Sequence, residues 1–136
     1  MIRLYSDAAV NGDSGQAGIG LLILFDHKEQ EQHSFPLEGQ NWDNHLAEFH
    51  ALWKGLQLLV DKEQNNQMTF CYTDSQILAE AVEKSYVKDS DFNNYLQKIL
   101  NIMEEFPYVS VQWIPNRENR GADNLARQAL RQITTS

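Results

Sequence analysis

Four carboxylates stand at matching kinds of position along the chain: Asp7, Glu48, Asp74 and Asp123. Asp7 follows a short apolar run, Ile2-Arg3-Leu4-Tyr5, and Asp74 follows another, Met68-Thr69-Phe70-Cys71-Tyr72-Thr73. Glu48 and Asp123 each fall where a helical apolar period begins. Singly, each acid has an ordinary use. An acid at a helix start favours the helix dipole by about 0.3–1 kcal/mol, and Asp74 or Ser75 can cap the helix that follows. Together they point to other chemistry. If Asp7 and Asp74 end neighbouring parallel strands, and both helix starts reach the same rim, the four acids meet. Such a group raises its own carboxyl pKa values and persists only if cations neutralise it. Hard oxygen ligands suit Mg²⁺ or Mn²⁺. Two such ions roughly 3.5–4 Å apart are the usual machinery of phosphodiester hydrolysis, one activating water and the other stabilising the leaving oxygen. Zinc is disfavoured, because too few His or Cys residues lie at ligand spacing.

The elements that must position these acids are legible in order. Ile2 to Tyr5 predicts a strand with Asp7 at its end. Val10 to Gly18 is turn-rich, and Gly12, Gly15, Gly18 and Gly20 permit tight turns and close approach. No Gly-Lys-Ser/Thr follows, so this is not a Walker loop. Ile19 to Phe25 is apolar and Glu29 to Phe35 polar, which predicts a hairpin with a charged sheet edge, ended by Pro36. Asp43 or Asn44 can cap a helix whose apolar stripe is Leu46, Phe49, Trp53, Leu56 and Val60, with Glu48 in its first turn. Met68 to Thr73 predicts a strand parallel to the first through a crossover. Helices follow from Gln76 and from Phe92, then a strand over Tyr108 to Ile114, a loop over Asn116 to Gly121, and a last helix over Ala122 to Ile133. Ligands in open α/β sheets sit at the carboxyl ends of parallel strands, where Asp7 and Asp74 fall.

At 136 residues, the size prior predicts one domain spanning 1–136. A net charge of −8 argues against a general nucleic-acid coat protein. Yet Arg117, Arg120, Arg127 and Arg131 gather in or after the last loop, where they could either hold phosphates or line a solvated helix face paired with Glu118 and nearby acids. No signal peptide and no apolar run near 18 residues is evident, which predicts a cytoplasmic protein with no membrane partner. Cys71 is expected in the core, His27 and His33 at the surface, and His50 in a structural place.

The motifs Ser6-Asp7-Ala8, Asn44-His45-Leu46-Ala47-Glu48, Thr73-Asp74-Ser75-Gln76 and Ala122-Asp123-Asn124-Leu125-Ala126-Arg127 resemble those of ribonuclease HI. The resemblance covers nearly the whole chain. It implies an α/β, ribonuclease H-like five-stranded mixed sheet, three antiparallel strands then two parallel, flanked by helices. It implies a metal-dependent endoribonuclease acting on the RNA strand of RNA–DNA hybrids, with two Mg²⁺ (or Mn²⁺) ions and no obligate protein partner. Asp7, Glu48, Asp74 and Asp123 would be the catalytic metal ligands. Asn44, His45, Gln76, Arg117 and Arg120 would contact substrate, and a 2′-hydroxyl reader is what distinguishes RNA from DNA. Ala8 stands where the family often has Gly, and His45 where a second Asn is usual. The loop Asn116 to Gly121 carries no assisting His, as in the family's short-loop branch. These departures motivate an alternative, a nucleic-acid-binding module with weak or no turnover.

Overall fold

The structure, a computed structural model, describes residues 1–134. Five strands form one mixed sheet: β1 (Ile2–Val10), β2 (Ala17–Leu24), β3 (Gln30–Pro36), β4 (Thr69–Thr73) and β5 (Val109–Trp113). The strand order is β3-β2-β1-β4-β5. β3, β2 and β1 are antiparallel, and β4 and β5 continue parallel to β1. The helices are α1 (Asn44–Asp61), α2 (Gln76–Lys84), α3 (Ser90–Met103) and α4 (Arg120–Thr134), with a 3-10 turn at Asn116–Glu118. The expected sheet is therefore present, in the expected order.

Alternation along the strands splits the sheet into two faces. On one, Ile2, Leu4, Leu21 and Ile23 pack with Phe49, Leu52, Leu56 and Leu59 of α1 and with Leu96 and Ile99 of α3. Cys71 is fully buried in this layer, as expected. On the other face α4 lies on β2, where Gly18 and Gly20 meet Ala122, Ala126 and Ala129. Small residues on both sides let the helix backbone approach the sheet closely.

Several boundaries differ from expectation, each for a physical reason. β1 continues to Val10, because β2 pairs with it as far as Val10↔Ala17. Asp7 is thus not at the end of the strand. It lies two residues past the end of the parallel pairing with β4, which stops at Tyr5↔Tyr72. Gly18 belongs to β2, not to the turn, beside Gly20 in the expected strand, and the backbone both approach is that of α4. α1 is capped by Asp43, whose side chain accepts from the His45 and Leu46 amides. Glu48 therefore opens the second turn, and the first turn holds no acid. α4 begins at Arg120 within the expected loop, whereas β3 ends at Pro36 as expected.

Candidate active site

β1 loses its β4 partner after Tyr5, so the next amides on that side need other acceptors. The Ala8 N–H donates to Asp7 Oδ1 at 2.9 Å and to Glu48 Oε1 at 3.2 Å. One backbone donor thereby draws two carboxylates together. Asp74 stands at the β4–α2 turn, where the Ser75 amide donates to Thr73 Oγ1 and Ser75 Oγ accepts from the Leu78 amide. The Trp113 indole donates to the Asp74 carbonyl at 3.2 Å and holds that turn against β5. One carboxylate oxygen each from Asp7, Glu48 and Asp74 lies within 4.8 Å of the others.

The fourth acid stands apart. Asp123 is in the first turn of α4 and lines the same cleft, but it is outside this close group. It is ion-paired with Arg127 one helical turn on, at 3.1 Å. The cleft has a volume of about 610 Å³, and Asn44, His45, Gln76 and Arg127 also form its walls. The expected substrate residues Arg117 and Arg120 are exposed and are not among the lining residues. Arg127 is the arginine the fold brings to the cleft. Its spacing of four from Asp123 was a usable signal, since i and i+4 share a helix face.

Charge shapes the site. Burial pushes Asp7 up to about 7, and the Asp74 and Asp123 carboxylates push in the same direction. Burial, then the Asp7 charge, raises Glu48 well above the usual carboxyl range. Burial raises Asp74 as well, with the Asp123 charge beside it, against the Asn119 hydrogen bond. Glu48 Oε2 is buried with no hydrogen-bond partner. Among the described residues, no Lys or Arg pairs with Asp7, Glu48 or Asp74. A buried anionic cluster with an orphaned oxygen and no cationic side chain fits a hard divalent cation.

Asn119 is a site residue with no clear mark in the sequence. An Asn just before a helix reads as an N-cap. Here its side chain turns inward and is 1% exposed. Nδ2 donates to the Ser6 carbonyl at 2.9 Å and approaches Asp74 Oδ2 at 3.3 Å. The Asn119 backbone carbonyl accepts from the Asp123 amide at 3.0 Å. One residue thus ties β1, Asp74 and the start of α4 together. Asn119→Ala leaves the Ser6 carbonyl without this donor and is expected to cost about 1–3 kcal/mol. Chemical denaturation measures this directly, and an unchanged midpoint and slope would contradict the strut.

A family model described as "Reverse transcriptase-like" matches residues 5–129. A relative named "Putative hydrolase EbsB", from Enterococcus faecalis, is 36% identical over 133 residues, covering 98% of this chain and 96% of the relative. A protein named ribonuclease H from Desulforamulus reducens is 28% identical over 149 residues, covering 96% of this chain and 88% of the relative. The solved structure of LC11-RNase H1 in complex with RNA/DNA hybrid superposes with a TM-score of 0.86 at 24% identity, covering 98% of this chain and 99% of that one. The last likeness is one of fold.

Proposed function

The chain belongs to the reverse-transcriptase-like, ribonuclease H family and is a hydrolase of that type, and we propose that it cleaves the RNA strand of RNA–DNA hybrids with divalent cations held by Asp7, Glu48, Asp74 and Asp123. The observation that carries this reading is the convergence of Asp7, Glu48 and Asp74 within 4.8 Å at the floor of an open cleft. Two relatives support it: one is named ribonuclease H, and a structure of the same fold was solved with a hybrid.

Bound Mg²⁺ or Mn²⁺ would supply Lewis acidity toward a phosphodiester and lower the pKa of attacking water. The chain's own residues do the rest. The Ala8 amide fixes the spacing of Asp7 and Glu48, and Asn119 with Trp113 fixes Asp74. α1 and α2 both begin at the cleft wall, so their positive ends favour a phosphate backbone there. Asn44 and Gln76, at those helix starts, carry amides that both donate and accept. That suits base edges and 2′-hydroxyls exposed in the shallow minor groove of a hybrid. His45 lines the same wall. Arg127 is positioned to exchange Asp123 for a substrate phosphate. Arg117 and Arg120 are proposed to meet phosphates outside the cleft.

The test incubates the purified chain with labelled RNA–DNA hybrid, RNA–RNA and DNA–DNA duplexes, with Mg²⁺, Mn²⁺ or EDTA. Cleavage of the hybrid alone, and only with a cation, is expected. Hybrid binding with no cleavage would favour the alternative, a binding module. The Asp123–Arg127 ion pair is the observation on that side, because it engages the fourth acid.

A second expectation follows from the raised carboxyls. A carboxyl whose folded pKa lies above its unfolded value of about 4 favours folding fully below that pH, and the benefit is lost as pH rises through the folded pKa. For Asp7 that loss runs from about 4 to beyond about 7. Cations that neutralise the cluster restore the loss where it exists. Mg²⁺ or Mn²⁺ should therefore raise the melting temperature by several degrees near pH 8 and by little near pH 5. Equal shifts at both pH values, in calorimetry, would place the bound cation elsewhere.

A further inference from the structure

The outer face of α1 carries a group of residues that the cleft does not use. Trp42, Trp53 and Tyr95 surround His50 edge-on, with ring centroids 5.4, 5.6 and 5.5 Å away. His50 Nδ1 and the Tyr95 hydroxyl are hydrogen-bonded at 2.9 Å. The Lys98 ammonium lies 5.1 Å from the Tyr95 ring centre and 5.4 Å from that of Trp53. The Lys54 ammonium lies 5.5 Å from the Phe35 ring centre. These rings are half-buried and Lys98 is exposed. One part of this explains itself as packing between α1 and α3.

The charge does not follow from packing alone. The chain carries 19 acids against 11 Lys and Arg residues. Yet among the described residues neither Lys54 nor Lys98 is ion-paired with a carboxylate. The face is thus locally cationic and aromatic in a strongly acidic chain. It is also continuous with the cleft: His45 lines the cleft and meets Phe92 edge-on at 6.3 Å, and Phe92 lies one turn from Tyr95 along α3. From His45 to Lys54 the α1 axis advances about 14 Å. At about 3.4 Å per nucleotide along one strand, that is roughly four nucleotides.

We propose that the outer face of α1, with Lys54 over Phe35 of β3 on one flank and Lys98 over Trp53 and over Tyr95 of α3 on the other, holds the phosphate backbone of a nucleic-acid strand roughly four nucleotides beyond the cleft. The lysines meet phosphates, and the exposed ring edges pack against sugars or unpaired bases. The proposal rests on the cleft engaging nucleic acid, as argued above. The same backbone chemistry can come from a longer duplex or from a single-stranded overhang, and the test separates these.

The experiment uses the full chain with Asp74→Asn, so that substrate stays intact, and fluorescence anisotropy with three labelled probes. One is a hybrid just long enough to fill the cleft, one is extended by further base pairs, and one carries an overhang of the same length. Lys54→Gln/Lys98→Gln is added to the same background, with its melting temperature as the folding control. The lysine variant should bind the short hybrid unchanged and the extended or overhang probe about tenfold more weakly. Its salt-dependence slope on that probe should fall by about 2. Loss on only one of the two long probes identifies the source of the strand. Equal affinity of the parent for short and long probes would overturn the proposal, as would equal loss on all probes. Failure of the unmodified chain to cleave hybrid would count against the cleft reading alone, because the length comparison is made by binding.

Discussion

Asp7→Asn is expected to lower hybrid cleavage about a thousandfold while making the cation-free protein more stable. Each tenfold in rate is about 1.4 kcal/mol, so this asks about 4 kcal/mol of one ligand, within the several kcal/mol that a cation supplies to a phosphoryl transition state. The shape of the site is kept, since the new Oδ1 still accepts from the Ala8 amide and Nδ2 can donate to Glu48. What is lost is the charge. That same loss relieves Glu48, whose pKa the Asp7 charge raises, and removes a carboxyl held near 7 by burial. A gain on the order of 2 kcal/mol near pH 8 without cations follows, and little gain near pH 5, where the native carboxyl is already protonated. Rate assays with hybrid and calorimetry in EDTA read the two effects. A variant that loses activity and stability together would mean that Asp7 serves the fold, and the proposed role would fall.

The contrast between Asp7 and Asp123 shows how far the chain's own order discloses its site. The end of an apolar run marks Asp74 and brings Asp7 close, because parallel strands bring such ends together. The exact setting of Asp7 was hidden. Ser6 to Ala9 lacks bulky strand formers, and the strand persists there only through pairing with β2. Glu48 was misplaced by one turn, since either Asp43 or Asn44 could have capped α1. Asp123 fitted the pattern of the other three, yet its distance from them depends on how α4 sits on β2. That seat is made by Gly18 and Gly20, and although close approach is legible in such glycines, the α4 backbone they approach lies about a hundred residues away in sequence and is not encoded locally. Asn119 and Trp113 act through contacts 39 to 113 residues away in sequence, which no local pattern encodes.

The seat of α4 therefore matters to both fold and site, and Gly20 tests it. A Cβ at Gly20 would stand 2.2 Å from the Ala122 carbonyl oxygen, 2.4 Å from the Ala126 amide nitrogen and 2.7 Å from Leu125 Cβ. Two of these are backbone atoms, so no rotamer relieves the clash, and α4 must lift from the sheet. Overpacking of this kind costs typically 1–3 kcal/mol, and backbone contacts put Gly20→Ala at about 3 kcal/mol or more. Gly12→Ala is the matched control: a Cβ there meets nothing within 4 Å and the backbone angle is ordinary. It should be neutral or stabilise by about 0.4–1 kcal/mol through the unfolded chain. Denaturant melts distinguish the two, and similar midpoints would refute the close seating of α4. The consequence reaches the cleft. A lifted α4 carries Asp123 and Arg127 away from Asp7 and pulls on Asn119, which holds Asp74. The folded fraction of Gly20→Ala should therefore cleave hybrid more slowly than the wild type even after correction for unfolding, whereas Gly12→Ala should not. An alanine at position 20 that weakens the fold yet leaves the corrected rate intact would show that the fourth acid is dispensable, and the active unit would then be Asp7, Glu48 and Asp74 alone.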